Sequence, residues 1–242
     1  MIEGVIARRM LLNYRADPSR VQRLLPPPLE VDQQRGHAIV GVCLIRLVKL
    51  RPRGVPSALG ISCENMAHRV AIRYPASDGM RTGVFVWRRE TDQKLVELLG
   101  GRLFPGVHHY ANFQVRENEN GLAMDVTNTT GESNVSFSAR VCGAWRRSPS
   151  FDTFDEASDF FRKGDCGFSC SMRGDKLEGL QLKMLTWAMV PMEVESHHCA
   201  FFADSVRFPR GSIEFDCGLL MRGLPHEWHQ LTDIPELATA EL

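Results

Sequence analysis

The run over residues 38–50, rich in valine, isoleucine and leucine and closed by Arg51-Pro52-Arg53-Gly54-Val55-Pro56, most limits how this chain can fold. A stretch of that composition stopped by proline and glycine predicts a strand, and a chain with many such stretches must pair them in a sheet. The pattern recurs. Strands are expected over 5–15, 67–74, 83–89, 107–116, 122–129 and 135–145, and again near 167–172, 180–189, 193–198 and 212–220. Glu117-Asn118-Glu119-Asn120-Gly121 reads as a hairpin turn between two of them, and a second turn is expected around Gly174.

Three helical signals interrupt the strands. Asp17-Pro18 supplies an N-cap and a proline for the first helical position of a short helix that Pro26-Pro27-Pro28 stops. Over 92–104, Leu95, Val96, Leu98, Leu99 and Leu103 recur at helical spacing. Thr153 with Glu156 three residues on marks a capping box for a helix over 155–163. The expected fold is α+β: a mostly antiparallel, closed or nearly closed β-barrel-like sheet with a few short helices, in a single domain over 1–242.

Composition removes several function classes. Twenty-nine basic residues balance twenty-nine acidic ones, so no field draws the chain to nucleic acid or to an anionic membrane. No apolar run approaches the roughly 18 residues of a membrane span. The seven cysteines are odd in number and no secretory segment precedes them, which points to free thiols in a reducing cytoplasm. There is no glycine-rich phosphate loop, Gly-x-Ser-x-Gly elbow or His-Glu-x-x-His, and no cofactor is expected. Cys166 and Cys170 have a spacing compatible with zinc, but Gly167-Phe168-Ser169 between them reads as the start of a strand. The adjacent histidines His108-His109 and His197-His198 point to opposite strand faces, so no metal site is assigned.

Three segments in order resemble acetoacetate decarboxylase. They are Tyr14-Arg15-Ala16-Asp17 with Leu24-Leu25-Pro26-Pro27-Pro28-Leu29-Glu30, then Gly60-Ile61-Ser62-Cys63-Glu64, then Gly101-Arg102-Leu103-Phe104-Pro105-Gly106-Val107-His108-His109-Tyr110. Phe208-Pro209 and the stretch Asp216-Cys217-Gly218-Leu219-Leu220-Met221-Arg222 resemble uncharacterised proteins grouped in the same superfamily. The resemblance implies a pocket for a small keto acid or other carboxylate, and a homo-oligomer. It also implies a lysine that forms a Schiff base with the substrate ketone. A gapless placement puts that lysine on His109 and its neighbour on Tyr110, neither of which can form an imine. The five lysines, Lys49, Lys94, Lys163, Lys176 and Lys183, offer no motif-supported substitute.

Glu64 matches the family's pocket glutamate, and the family's carboxylate-holding arginine falls on Ala7, beside Arg8 and Arg9. Arg8 is taken as the anchor, although a one-residue slip reverses the face of a strand. The expected site therefore has Glu64 and His109 as acid–base residues, with Arg8, Tyr110, Trp87 and Arg89 binding substrate. A buried Glu64–His109 hydrogen bond of purely structural purpose is the alternative. At the level of function, non-imine chemistry on a keto acid stands beside ligand binding without turnover and beside a structural oligomer with a filled pocket.

Overall fold

The computed structural model describes residues 1–99 and 106–235, and the fold is a large, mixed, mostly antiparallel sheet with short helices. In chain order the elements are β1 (Ile2–Ala16), α1 (Pro18–Gln22), β2 (Glu30–Val31), β3 (Gln33–Gln34), β4 (His37–Pro52), β5 (Ile61–Ala76) and β6 (Gly79–Thr91). They continue with α2 (Lys94–Leu99), β7 (His108–Glu117), β8 (Gly121–Asn128), β9 (Val135–Val141), α3 (Phe154–Lys163) and β10 (Cys166–Cys170). The remainder are β11 (Lys176–Met184), β12 (Val190–Cys199), α4 (Ala200–Ala203), β13 (Ile213–Gln230) and β14 (Ile234–Pro235). No helix among the described residues is long and apolar enough to cross a membrane.

Local chemistry explains the helix starts. The Asp17 carboxylate accepts from the backbone N–H groups of Ser19 and Arg20, and Pro18 occupies the first turn. Thr153 caps α3 by accepting from the Glu156 N–H, while the Glu156 carboxylate reaches back to the N–H of Asp152. Of the helix expected over 92–104, Lys94–Leu99 is observed and residues 100–104 lie outside the described residues.

Two expectations need correction. The strand expected to end at 220 runs on to Gln230: Gly223 and Pro225, ordinarily strand breakers, fall within the span paired to β1, and His226–Gln230 pair with β11 as well. The strand expected to reach 145 stops at Val141, where its pairing with β12 ends at Met192.

The strand pairings close two rings of hydrogen bonds. One passes through β6–β7–β8–β9–β12–β13–β1–β4–β5 and back to β6. The other passes through β6–β10–β11–β13–β1–β4–β5 and back to β6. They share the wall β13–β1–β4–β5–β6, so alternate residues of these strands serve different interiors. Met10, Leu12, Leu44, Met66, Val70 and Leu220 enter the larger core. Leu11, Cys43, Leu47, Ala71, Leu219 and Met221 enter a smaller one, which α3 closes with Phe161.

Gly41 shows how tightly the wall is built. A Cβ there would lie 2.5 Å from the Leu12 carbonyl oxygen and 3.2 Å from Asn13 Oδ1. Gly41→Ala is expected to destabilise the fold by about 1–3 kcal/mol through this clash. Urea unfolding should show a lowered midpoint, and an unchanged midpoint would mean the wall can relax.

Candidate functional site

Two bulges decide which side chains reach each interior. Along β1 and β4, Ile6 pairs with Leu47 and Arg8 with Arg46, so Ala7 is an extra residue on β1. The bulge turns Arg8 away from the side on which Ile6 lies and brings Arg9, opposite Ile45, to that side. On β6, Arg88 pairs with His68 and Val86 with Arg69, leaving Trp87 as the extra residue. Past it, Arg89 shares the face of Val84 and Val86.

Arg9 and Arg89 thereby point into the second ring, where a cavity of ≈ 140 Å³ is lined from all seven of its strands. Its apolar wall includes Ile45, Leu47, Val84, Val86, Leu180, Leu182 and Trp228, and its polar lining includes Arg9, Asn65, Arg69, Arg89, Glu90, His108 and Asp165.

The three arginines are held by neutral partners. Arg69 is buried and donates to Asn13 Oδ1 at 2.8 Å, its guanidinium 5.2 Å from the Phe161 ring centroid, while its Nε has no hydrogen-bond partner. Arg89 donates to Ser169 Oγ at 3.0 and 3.2 Å. Arg9 meets only sulfur: Cys43 Sγ at 3.4 Å and Met184 Sδ at 3.8 Å, both weak acceptors. Among the described residues, no carboxylate forms an ion pair with any of the three. Burial draws the pKa of Arg69 and of Arg89 down to about 10, so both remain charged at neutral pH.

His108 completes the polar lining. Its Nδ1 lies 3.3 Å from the Gly106 carbonyl oxygen. Burial, followed by the charge of Arg89, lowers its pKa to about 4, so its imidazole is neutral at physiological pH.

The residues singled out from sequence fall in several places. Glu64 and Arg8 lie on the opposite face of the wall from Arg9. Arg8 Nη2 donates to Glu64 Oε2 at 2.6 Å and Nη1 to Glu117 Oε2 at 2.7 Å; Arg46 and Arg222 supply further pairs at 3.0 and 2.8 Å. Arg8 is thus neutralised by two carboxylates, although its buried Nε has no hydrogen-bond partner. His109, Trp87 and Arg89 line a second recess, ≈ 600 Å³, with Leu24, Val107 and Ser169, and Trp87 donates to the Leu24 carbonyl at 3.0 Å. Glu64 lines neither cavity and makes no hydrogen bond with His109. Tyr110 is exposed, its N–H held by Glu97 at 2.9 Å. Of the expected set, only Arg89 lines the cavity of the second ring, and it borders both. None of the five lysines lines it. Arg69 and His108 were not anticipated there; a charge at position 69 inside the apolar run 66–72 was the available signal.

The profile of DUF2071, described as an uncharacterised conserved protein, matches residues 6–207. The chain belongs to the DUF2071 family. A sequence search of curated proteins gives no match. Among solved structures, an acetoacetate decarboxylase-like enzyme from Sphingomonas wittichii RW1 is 14% identical, with a TM-score of 0.64 over 98% of this chain and 94% of that one. Acetoacetate decarboxylase from Legionella pneumophila is 17% identical, with a TM-score of 0.56 over 96% and 87%. The enduracididine biosynthesis enzyme MppR, complexed with pyruvate, is 10% identical, with a TM-score of 0.58 over 96% and 90%. At these identities the likeness establishes the acetoacetate decarboxylase-like fold alone, as the sequence resemblance implied.

The Arg8 network carries its own prediction. Glu64→Gln leaves Arg8 half-paired and should cost about 3 kcal/mol of stability. Burial pushes the Glu117 carboxyl up, but hydrogen bonds from Arg8 and Arg222 outweigh this and hold it below its ordinary value. Its pairing therefore contributes fully above the ordinary carboxylate range and is lost as pH falls through the depressed folded value. Denaturant titrations from pH 7 downward should show stability declining below about pH 4.5, with a shallower decline in Glu117→Gln.

Proposed function

We propose that this protein binds a small carboxylate, of the keto acid class, inside the second ring, with Arg9, Arg69 and Arg89 as its anchors. One observation carries the reading: three arginines line one largely apolar cavity, and none has a carboxylate partner among the described residues. Removing such charges from water is costly unless an anion compensates them, and a bidentate carboxylate matches the guanidinium fork.

The chemistry we propose is acid–base chemistry without an imine. His108 stands at the cavity wall as a neutral imidazole able to take a proton from an enolisable ligand whose developing negative charge the arginines stabilise. Every lysine is absent from the lining, which supports a route that forms no covalent bond to the protein. A second reading, ligand carriage or sensing without turnover, is favoured by the same histidine, because a group with a pKa of about 4 is a weak base. His109, expected from sequence as the acid–base residue, lines the other recess and has no part in this proposal.

Calorimetric titration with pyruvate and acetoacetate tests the reading. The wild type should bind, Arg89→Met should weaken binding at least about tenfold, and His109→Ala should change it by less than about twofold. Equal binding by Arg89→Met would remove the arginine anchor. Borohydride reduction in the presence of acetoacetate should leave the protein mass unchanged; a reduced adduct on any lysine would overturn the non-imine route. Loss of acetoacetate or pyruvate proton exchange in His108→Gln, with binding retained, separates turnover from carriage.

A further inference from the structure

We infer that the cavity of the second ring takes a compact dicarboxylate, a ligand with two separated negative charges; this rests on the carboxylate-binding reading above. A single carboxylate would compensate one of the three guanidiniums, buried Arg69 or part-exposed Arg9 or Arg89, and leave two without a counter-charge. The two acidic residues of the lining do not supply the difference. Glu90 receives Arg88 Nε at 2.6 Å, and Asp165 receives Gln181 Nε2 at 2.8 Å. Among the described residues, neither forms an ion pair with Arg9, Arg69 or Arg89.

The spacing of the arginines favours two charges over one concentrated charge. Arg9 pairs with Ile45 of β4, Arg89 reaches Cys43 through Ala67, and Arg69 pairs with Gly41. These are three successive rows along the wall, and the arginines occupy them from three different strands, β1, β6 and β5, so the cations enter the cavity from separate parts of its lining. Cations distributed in this way match an anion whose carboxylates stand at its two ends. A phosphate, with its charge gathered on one centre, matches only part of the set.

Volume then limits the ligand. The cavity encloses ≈ 140 Å³, and an apolar cavity of about 150 Å³ accommodates benzene. That admits a chain of about three to five carbons. The walls between the arginines, Ile45, Val84 and Val86, suit a methylene bridge and not a further polar group.

Malonate, its monomethyl ester and inorganic phosphate separate the outcomes, because the ester keeps the shape and removes one charge. Titrated calorimetrically against the full chain, malonate should bind at least about tenfold more tightly than the ester. Arg9→Met should erase that preference, and the part-exposed position of Arg9 makes this variant less disruptive than one at buried Arg69. If ester and malonate bind equally, the dicarboxylate inference fails while the carboxylate-binding reading stands. Phosphate binding as tightly as malonate would also overturn it, in favour of a single compact dianion. If malonate, ester, pyruvate and acetoacetate all fail to bind, both readings fall.

Discussion

Backbone parity along β1 decides which arginines face the cavity of the second ring. The strand lies in the wall common to both rings, and each of its side chains must enter one interior or the other. The extra residue at Ala7 sends Ile6 and Arg9 to the second ring and Arg8 to the first. Without that bulge, Arg8 would occupy the cavity side, and its carboxylate partners Glu64 and Glu117 would be on the wrong face to meet it. One inserted residue therefore separates a neutralised structural arginine from an uncompensated one. The second bulge, at Trp87, does the same for Arg88 and Arg89.

The two arginine pairs illustrate a division of electrostatic labour. Arg8 and Arg88 each find carboxylates, and their networks run from the interior toward the surface through Glu117, Arg222 and Glu132. Their neighbours Arg9 and Arg89 meet sulfur and hydroxyl acceptors, which satisfy some N–H groups without cancelling charge. Neutral contacts of this kind position a guanidinium while keeping it available to an anion.

Much of the fold was legible because strand composition and turn residues report local structure directly. The apolar run at 38–50 and the caps at Asp17 and Thr153 are local signals, and each formed the element it suggested. The site was less legible for a specific reason. A residue's side of a strand depends on every bulge before it, and the bulges at Ala7 and Trp87 carry no glycine to announce them. Placing the family pattern on Ala7 brought the reading within two residues of Arg9, yet parity turned Arg8 to the other face. Arg69 was missed because nothing in its immediate sequence shows that Asn13, 56 positions away, would hold it.

The shared wall also constrains how such a protein can change over generations. On β1, β4 and β5 successive side chains pack into different interiors, so a backbone shift that accommodates a change in one is felt in the other. Strands β10 and β11 belong to the second ring alone, and they contribute Gly167, Leu180 and Leu182 to its cavity. Those positions can vary in size without disturbing the larger core. A change of size there would reshape the space beside Arg9, Arg69 and Arg89 while leaving the strands that carry those arginines in place.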